Sequence, residues 1–297
     1  MVIVSLAGGL GNQLFQFAAG YSLAKAKCQM LVLDNAYATM TRHLPSAGLL
    51  ECRLDSVLLR KNSVLISSPF ISRTLRVGLK VLKSATLNER KFLAVRENLH
   101  VNNSTVAPLM YREFGDADNY WLNGYWQNRS YFIRYESEIA DLIFSPRRIS
   151  EIQTVAVHVR KGDISGTFMD ICSPEYYRRG IEQIETLRQY TRKDFVVNVY
   201  SEDVEWVRKF VDLSGFNVNY IKGTPGSTAE DFLSMSSCDD IVISNSTYSY
   251  WAALKLSSKR CSVVVCPGRW RPDVSAADIN LYPSHWRVLD EWLSRRP

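Results

Sequence analysis

The second half of the chain alternates short Val- and Ile-rich runs with amphipathic stretches, and this alternation constrains the fold more than any other feature. Strand-like runs fall at Thr154–Val159, Phe195–Tyr200, Asn217–Ile221, Asp239–Ser244 and Cys261–Cys266. Helical patterns separate them at Pro174–Leu187, Val204–Phe210, Thr228–Met235 and Tyr248–Leu256. Runs that are apolar on both faces, each followed by a helix, predict a doubly wound parallel sheet with helices on both sides. The fold class is therefore α/β.

The first half follows the same rule less regularly. Met1–Leu6 reads as a strand, Asn12–Lys27 as a helix apolar on most faces, and Met30–Asp34 as the next strand. An amphipathic helix is expected at Phe70–Lys83 within the irregular stretch Arg42–Asp118, and another at Arg129–Leu142. Ser145-Pro146-Arg147-Arg148 reads as a linker. The chain has 297 residues, and single cores stop growing at about 250–300. Two domains follow, 1–148 and 149–297. Two facing units of this kind hold a ligand cleft at the carboxyl ends of their strands.

Composition narrows the function classes. Apolar residues are 46% and charged residues 22%, which excludes a disordered, collagen-like or coiled-coil chain. The net charge of +6 suits an anionic small molecule or surface and does not call for nucleic acid. No apolar run approaches the ~18 residues of a membrane span, and Met1–Leu6 is too short for a signal-peptide core. The six cysteines are scattered, without a CxxC pair. Reduced thiols in a cytoplasmic protein are the expectation, and the sequons at Asn102, Asn103, Asn128 and Asn245 would then be unused.

Four segments carry candidate chemistry. Gly8-Gly9-Leu10-Gly11-Asn12-Gln13 lies between a strand and a helix, where glycines let backbone amides approach an anion. Asn12 is placed to cap that helix or bond a phosphate. A dinucleotide fingerprint would want a small residue at Leu14, and a P-loop would want Lys-Ser/Thr. Asp34 does occupy the place of a ribose-binding acid. A tight turn before a buried helix accounts for the same residues. The second segment, His158-Val159-Arg160-Lys161-Gly162-Asp163, follows a strand buried on both faces. Alternation puts His158 and Arg160 on one side, and Arg suits planar, bidentate phosphate recognition. A structural Arg–Asp pair beside a core histidine is the competing account.

The third segment, Ser244-Asn245-Ser246-Thr247-Tyr248-Ser249-Tyr250-Trp251, opens a helix with hydroxyl and amide side chains that can donate to phosphate or simply cap. The fourth, Ser201-Glu202-Asp203, puts acceptor-only carboxylates at a strand end. They can read the ring N–H groups of guanine, or serve a helix's first turn. Asp116-Ala117-Asp118 has the shape of a divalent-ion motif but reads as a polar loop. The four histidines have no metal spacing. Trp121, Tyr125 and Trp126 can stack on sugars or fill a core.

Together these segments resemble the bacterial α-1,2-fucosyltransferases of glycosyltransferase family 11. The matching residues are Gly8 to Gln16, Gly124-Tyr125-Trp126-Gln127 with Tyr131-Phe132, His158 to Asp163, Ser201-Glu202-Asp203, Asn245 to Trp251, and Pro267 to Trp270. Family members often have Trp-Trp at Tyr250-Trp251 and Cys at Ser201. The resemblance implies a GT-B fold of two facing Rossmann-like domains, the N-terminal one on the acceptor side and the C-terminal one holding the donor. It implies inverting, metal-independent transfer of L-fucose from GDP-β-L-fucose to the 2-hydroxyl of a terminal galactose, in surface-polysaccharide (O-antigen) synthesis, with no cofactor. Arg160 would oppose the leaving diphosphate. Gly9, Gly11, Asn12, His158, Ser201, Glu202, Asp203, Asn245, Ser246 and Thr247 would bind the donor, Asp163 would act as base or hold Arg160, and Tyr125 and Trp126 would meet the acceptor. The acceptor can be lipid-linked, with Arg73, Arg76, Lys80 and Lys83 resting on an anionic membrane. An NAD-dependent dehydrogenase, suggested by the first turn and Asp34, and a non-catalytic carbohydrate-binding protein are the alternatives.

Overall fold

The computed structural model describes residues 1–35, 63–66, 70–74, 77, 93–96, 117–142, 152–224, 228–258 and 261–290. The chain forms two compact units. One is Met1–Ile143 with Ile279–Leu281, and the other is Phe144–Asp278 with Tyr282–Pro297. The expected linker, Ser145–Arg148, lies outside the described residues.

The first unit contains β1 (Val2–Ser5), α1 (Leu10–Ala26), β2 (Leu31–Asp34), β3 (Ser63–Ile66), β4 (Leu93–Arg96), β5 (Tyr120–Asn123) and α2 (Glu136–Leu142). Its strands order as β3-β2-β1-β5-β4, all parallel. β1 is central, which suits a strand whose Val2, Ile3 and Val4 are all buried. Ile3 packs with Val32 on one face of the sheet, while α1 meets the other through Gly20 against Val4. α1 buries 13 of its 17 residues, so its apolar residues wrap the helix rather than form a stripe.

The second unit contains β6 (Gln153–Val159), α3 (Pro174–Arg188), β7 (Phe195–Ser201), α4 (Val204–Phe210), β8 (Val218–Lys222), α5 (Thr228–Ser236), β9 (Asp240–Val242), α6 (Thr247–Ser258), β10 (Val264–Pro267), β11 (Arg269–Arg271), β12 (Val274–Ser275) and β13 (Arg287–Leu289). The main sheet orders as β13-β10-β9-β6-β7-β8 and is parallel throughout. The chain builds outward from β6 through β7 and β8, then returns to the other side of β6 for β9, β10 and β13. This is the Rossmann order, and it reverses between β6 and β9. Val155, Val157 and Val159 share a core with Tyr176, Tyr177, Ile181 and Ile184 of α3 and Val207 of α4. Asp240 is fully buried and forms a bidentate pair with Arg188, anchoring the end of α3 to the start of β9.

Several elements depart from the sequence reading. The stretch Arg129–Leu142 is two 3-10 turns, Arg129–Tyr131 and Ile133–Tyr135, followed by α2. Asn128 caps the first turn, and Phe132 leaves helical geometry at φ −139°. Asn119–Tyr125 contains a strand, and β3, β4, β11, β12 and β13 carry too weak a pattern to be expected. Residues 70–74 are helical, but Ile71 is exposed and Ser72 is buried. Ser72 Oγ donates to the buried Asp34 carboxylate at 2.9 Å, and that demand turns the helix away from its expected apolar face. Of residues 75–83 only 77 is described.

Gly20 tests the packing of α1 on β1. A Cβ there would stand 2.2 Å from Val4 Cγ2 and 3.1 Å from Leu31 Cδ1. Alanine would gain about 1 kcal/mol of helix propensity, but overpacking typically costs about 1–3 kcal/mol. Because the contact is this short, we expect Gly20→Ala to be net destabilising, read as a lower urea midpoint.

Candidate active site

The carboxyl ends of β6, β7 and β9 meet where the strand order reverses. Val157 pairs with Val242 on one side and with Val199 on the other, so these three strands end along one edge of the sheet. With Val155, Val157 and Val159 turned toward α3 and α4, alternation turns His158 to the opposite face. His158 Nδ1 lies 2.9 Å from Ser244 Oγ, just beyond β9. The ring of Tyr248, in the first turn of α6, packs on the imidazole at 5.6 Å. Tyr248 is itself held by a hydrogen bond from its hydroxyl to Thr228 O at 2.6 Å and by an edge contact with Phe232.

Burial, with the neighbouring Arg160 guanidinium second, pushes the His158 pKa down to about 3. The ring is therefore neutral at ordinary pH. Ser244 engages Nδ1, and Nε2 is the other polar atom of the ring. Arg160 and Lys161 part company directly after the strand. Lys161 is buried, with Nζ 2.5 Å from Asp170 Oδ1 and 3.8 Å over the Trp206 ring. Arg160 is half-buried and near enough to His158 for its guanidinium to act on the imidazole.

Gly162 joins the second and fourth segments. Its φ is +65°, and a Cβ would stand 2.4 Å from Glu202 Oε2. The positive φ calls for glycine, and any Cβ would also displace the end of the Glu202 side chain. Glu202 is exposed at this turn. Ser201 is buried, its Oγ accepting from Asp203 N at 3.1 Å. Asp203 Oδ1 accepts from Trp206 N at 2.9 Å and caps α4. The serine and one carboxylate thus work in the fold. The side chain of Asp163 lies outside the described part of the structure.

Asn245 is also a fold residue. It is buried, and its amide donates to Met169 O at 2.9 Å and Trp270 O at 3.4 Å while Cys172 Sγ donates to its Oδ1. It brackets the opening of α6 rather than presenting a free amide to a ligand. Ser246 is buried and Thr247 half-buried at the helix start. Tyr250 and Trp251 are both core, Tyr250 packing on Tyr282 and Trp286.

In the first unit, Gly8 rather than Gly9 or Gly11 is the conformationally required glycine. Its φ is +74°, and a Cβ would meet Asn12 Nδ2 at 2.7 Å. Gly9 occupies the cap position of α1, so Asn12 lies inside the helix and does not cap it. Instead Asn12 Oδ1 accepts from Gln127 Nε2 at 2.9 Å. The buried Gln13 and Gln16 complete the arrangement. Gln13 Nε2 donates to Gly8 O, Gln16 Oε1 accepts from Ala7 N, and Gln16 Nε2 donates to Gly124 O. The segments Gly8–Gln16 and Gly124–Gln127 are therefore one hydrogen-bonded structure. Trp126 is 1% exposed and sits edge-on to Tyr131 at 5.2 Å. It offers no face to a sugar, which corrects its expected role, whereas Tyr125 is 38% exposed. Asp34 is buried and bonded to Ser72, which removes the ribose-binding acid of the dehydrogenase alternative.

The glycosyl transferase family 11 model matches residues 1–289. The chain belongs to this family. An alpha-1,2-colitosyltransferase of Escherichia coli is 26% identical over 98% of this chain and 99% of its own length. The O-antigen biosynthesis glycosyltransferase WbnK of Escherichia coli is 28% identical over 89% of this chain and 93% of its own. Among solved structures, an Arabidopsis thaliana FUT1 variant in complex with GDP matches with a TM-score of 0.50. It is 11% identical, over 89% of this chain and 69% of that one. The fold is of the GT-B type, built from two Rossmann-like units, and the protein is a glycosyltransferase. Among the described residues no helix is long and apolar enough to cross a membrane, and no three His, Cys, Asp or Glu side chains are grouped as metal ligands. Asp116 lies outside the described residues.

Sequence reasoning did not single out Ser244, Tyr248, Gln127 or the Lys161–Asp170–Trp206 cluster as site builders. For Lys161 the signal was available, because alternation that places His158 and Arg160 together puts Val159 and Lys161 on the other face.

The depressed pKa of His158 carries a stability consequence. The unfolded ring titrates near 6.5 and the folded ring near 3. Below about 6.5 the unfolded chain binds a proton that the folded chain does not, so stability falls as pH drops toward 3; above 6.5 this group adds no pH dependence. His158→Gln should therefore lose less urea resistance than the wild type between about pH 7 and pH 4.5. Equal losses would show that the ring protonates normally in the folded protein.

Proposed function

We propose that this protein transfers L-fucose from GDP-β-L-fucose, with inversion and without a metal, to the 2-hydroxyl of a terminal galactose during bacterial surface-polysaccharide synthesis. The observation that carries the reading is the placement of His158, Arg160 and the opening of α6 at the strand-order reversal of a Rossmann sheet. Ligands of such sheets bind there. Family membership and a relative named for O-antigen biosynthesis support the same reading.

The chemistry is a displacement at the sugar's anomeric carbon. The galactose oxygen bonds to that carbon as its bond to the β-phosphate oxygen breaks, and negative charge grows on the departing GDP. Arg160 offers two parallel N–H donors to the diphosphate. The amides opening α6, with Ser246 and Thr247, add further donors. His158 stays neutral, and when Ser244 donates to Nδ1 its Nε2–H becomes a donor as well. An arriving diphosphate would raise the imidazole's pKa again. Exposed Glu202 is assigned to guanine, and Asp163 is assigned as the base that takes the acceptor proton. In the first unit, the first turn of α1 has no acidic residue and no side-chain cap, which leaves its amides to an anion. Tyr125 is the exposed aromatic assigned to the acceptor. The donor is a cytoplasmic nucleotide, so the enzyme is placed in the cytoplasm. Arg73, exposed in helix 70–74, belongs to the basic residues assigned to membrane contact.

A second donor deserves a direct test because one relative is a colitosyltransferase. Colitose is L-fucose without its 3-hydroxyl. A site that hydrogen-bonds that hydroxyl rejects the deoxy sugar by about 10⁴-fold or more, whereas a site that leaves it in water does not. With both GDP-sugars at equal concentration and a β-galactoside acceptor, we expect the faster GDP release from GDP-fucose, undiminished by excess EDTA. Faster release from GDP-colitose would reassign the donor, and a tenfold recovery on adding Mg²⁺ or Mn²⁺ after EDTA would overturn metal independence.

Arg160→Ala should reduce turnover by more than about a hundredfold, since it removes a donor of the oxyanion-stabilising kind. Arg160→Lys should recover only part of it, for want of the planar fork. Melting temperatures should stay near the wild type. Full activity in the alanine variant would falsify the leaving-group role.

A further inference from the structure

We propose that Lys161 is a positioning residue. Its ammonium does not meet the donor; it holds the turn that aims Arg160. The inference rests on the function proposed above. A pair of basic residues at a strand end reads most simply as two phosphate ligands, and the geometry separates them. Arg160 is half-buried, and its guanidinium acts on the His158 ring. Lys161 follows Val159 on the α3–α4 face and is 4% exposed.

The ammonium has two partners there. Nζ lies 2.5 Å from Asp170 Oδ1 and 3.8 Å over the Trp206 ring of α4. A cation taken out of water in this way is held by its carboxylate and by the ring's negative face. The Asp170 carboxylate also accepts from Gly166 N at 3.3 Å, and Ser165 N and Thr167 N bond back to Gly162 O and Ile164 O. The ion pair therefore ties together both ends of the loop 161–170. Met169 O accepts from Asn245 Nδ2, which connects this loop to the opening of α6. Trp206 connects it to α4, whose cap is Asp203. One buried ammonium thus links the segments that follow β6, β7 and β9. It sits at the backbone kink, where Lys161 has φ −127° and ψ −138° and Gly162 has φ +65°.

The test is a double-mutant cycle on turnover, with every variant assayed well below its own melting temperature. Lys161→Met should lower kcat about 30-fold when Arg160 is present, as expected for a displaced catalytic group. In an Arg160→Ala background it should cost less than about threefold, because the group it aims is gone. Lys161→Arg, which can keep the ion pair, should return to within about fivefold of the wild type. If Lys161→Met does not fold, Asp170→Asn takes its place in the cycle with the same expectations. Multiplicative losses in the cycle would overturn the proposal by showing that Lys161 acts on the donor independently of Arg160, and so would an unaffected Lys161→Met. No GDP release from GDP-fucose by the wild type would instead sink the proposed donor. The same cycle read as GDP affinity by calorimetry, coupled or additive, would then decide the role of Lys161.

Discussion

The reversal of strand order between β6 and β9 is the constraint on which the second unit depends. β6 starts the sheet, and successive crossovers build away from it in one direction and then in the other. The connections leaving β6 and β9 therefore depart to opposite faces of the sheet, and a crevice opens between two strand ends that pair side by side. The His158–Ser244 hydrogen bond spans that pairing. Tyr248 supports it from α6, and the Lys161–Asp170 pair holds the turn on the opposite face. The His158 contacts join residues far apart in sequence, the Lys161–Asp170 pair closes one loop, and each serves one edge of one sheet.

The chemistry of this edge follows from the two environments the strand creates. The apolar face takes Val159 and then Lys161, and there a cation survives only with Asp170 and Trp206 as partners. The other face takes His158 and Arg160. Desolvation and the guanidinium keep the imidazole neutral, so of this neighbouring pair the positive charge is that of Arg160. One permanent charge beside a neutral, polar ring suits a diphosphate that arrives fully ionised and leaves with more charge on its terminal oxygen.

The first unit works by amides rather than by charge. Gln13, Gln16 and Gln127 bind the loop that opens α1 to itself and to the Gly124–Gln127 segment. Gln13 and Gln16 are buried and Gln127 is half-buried, and the groups they meet are backbone carbonyls, a backbone amide and Asn12. This is costly in conformational entropy, and the return is a rigid helix opening with no competing acid in its first turn.

The sequence alone determined the α/β class, the parallel sheet of the second half, most helices and the four segments that hold the candidate residues. It could do so because strand and helix periods, glycine turns and strand-end polar runs are local signals. The strands β3, β4, β11, β12 and β13 are only two to four residues long, too short to show a period. Only the tertiary structure decided which residues within a segment face a ligand and which face the protein. Trp126 looks like a sugar platform and is core; Asn245 looks like a phosphate donor and is a bracket; Asp34 looks like a ribose acid and is held by Ser72. Lys161, the neighbour of Arg160 in a basic pair, is buried on Asp170. The physical reason is the same in each case. A side chain's role depends on which polar partner or apolar face reaches it first, and that is set by tertiary packing rather than by the local pattern.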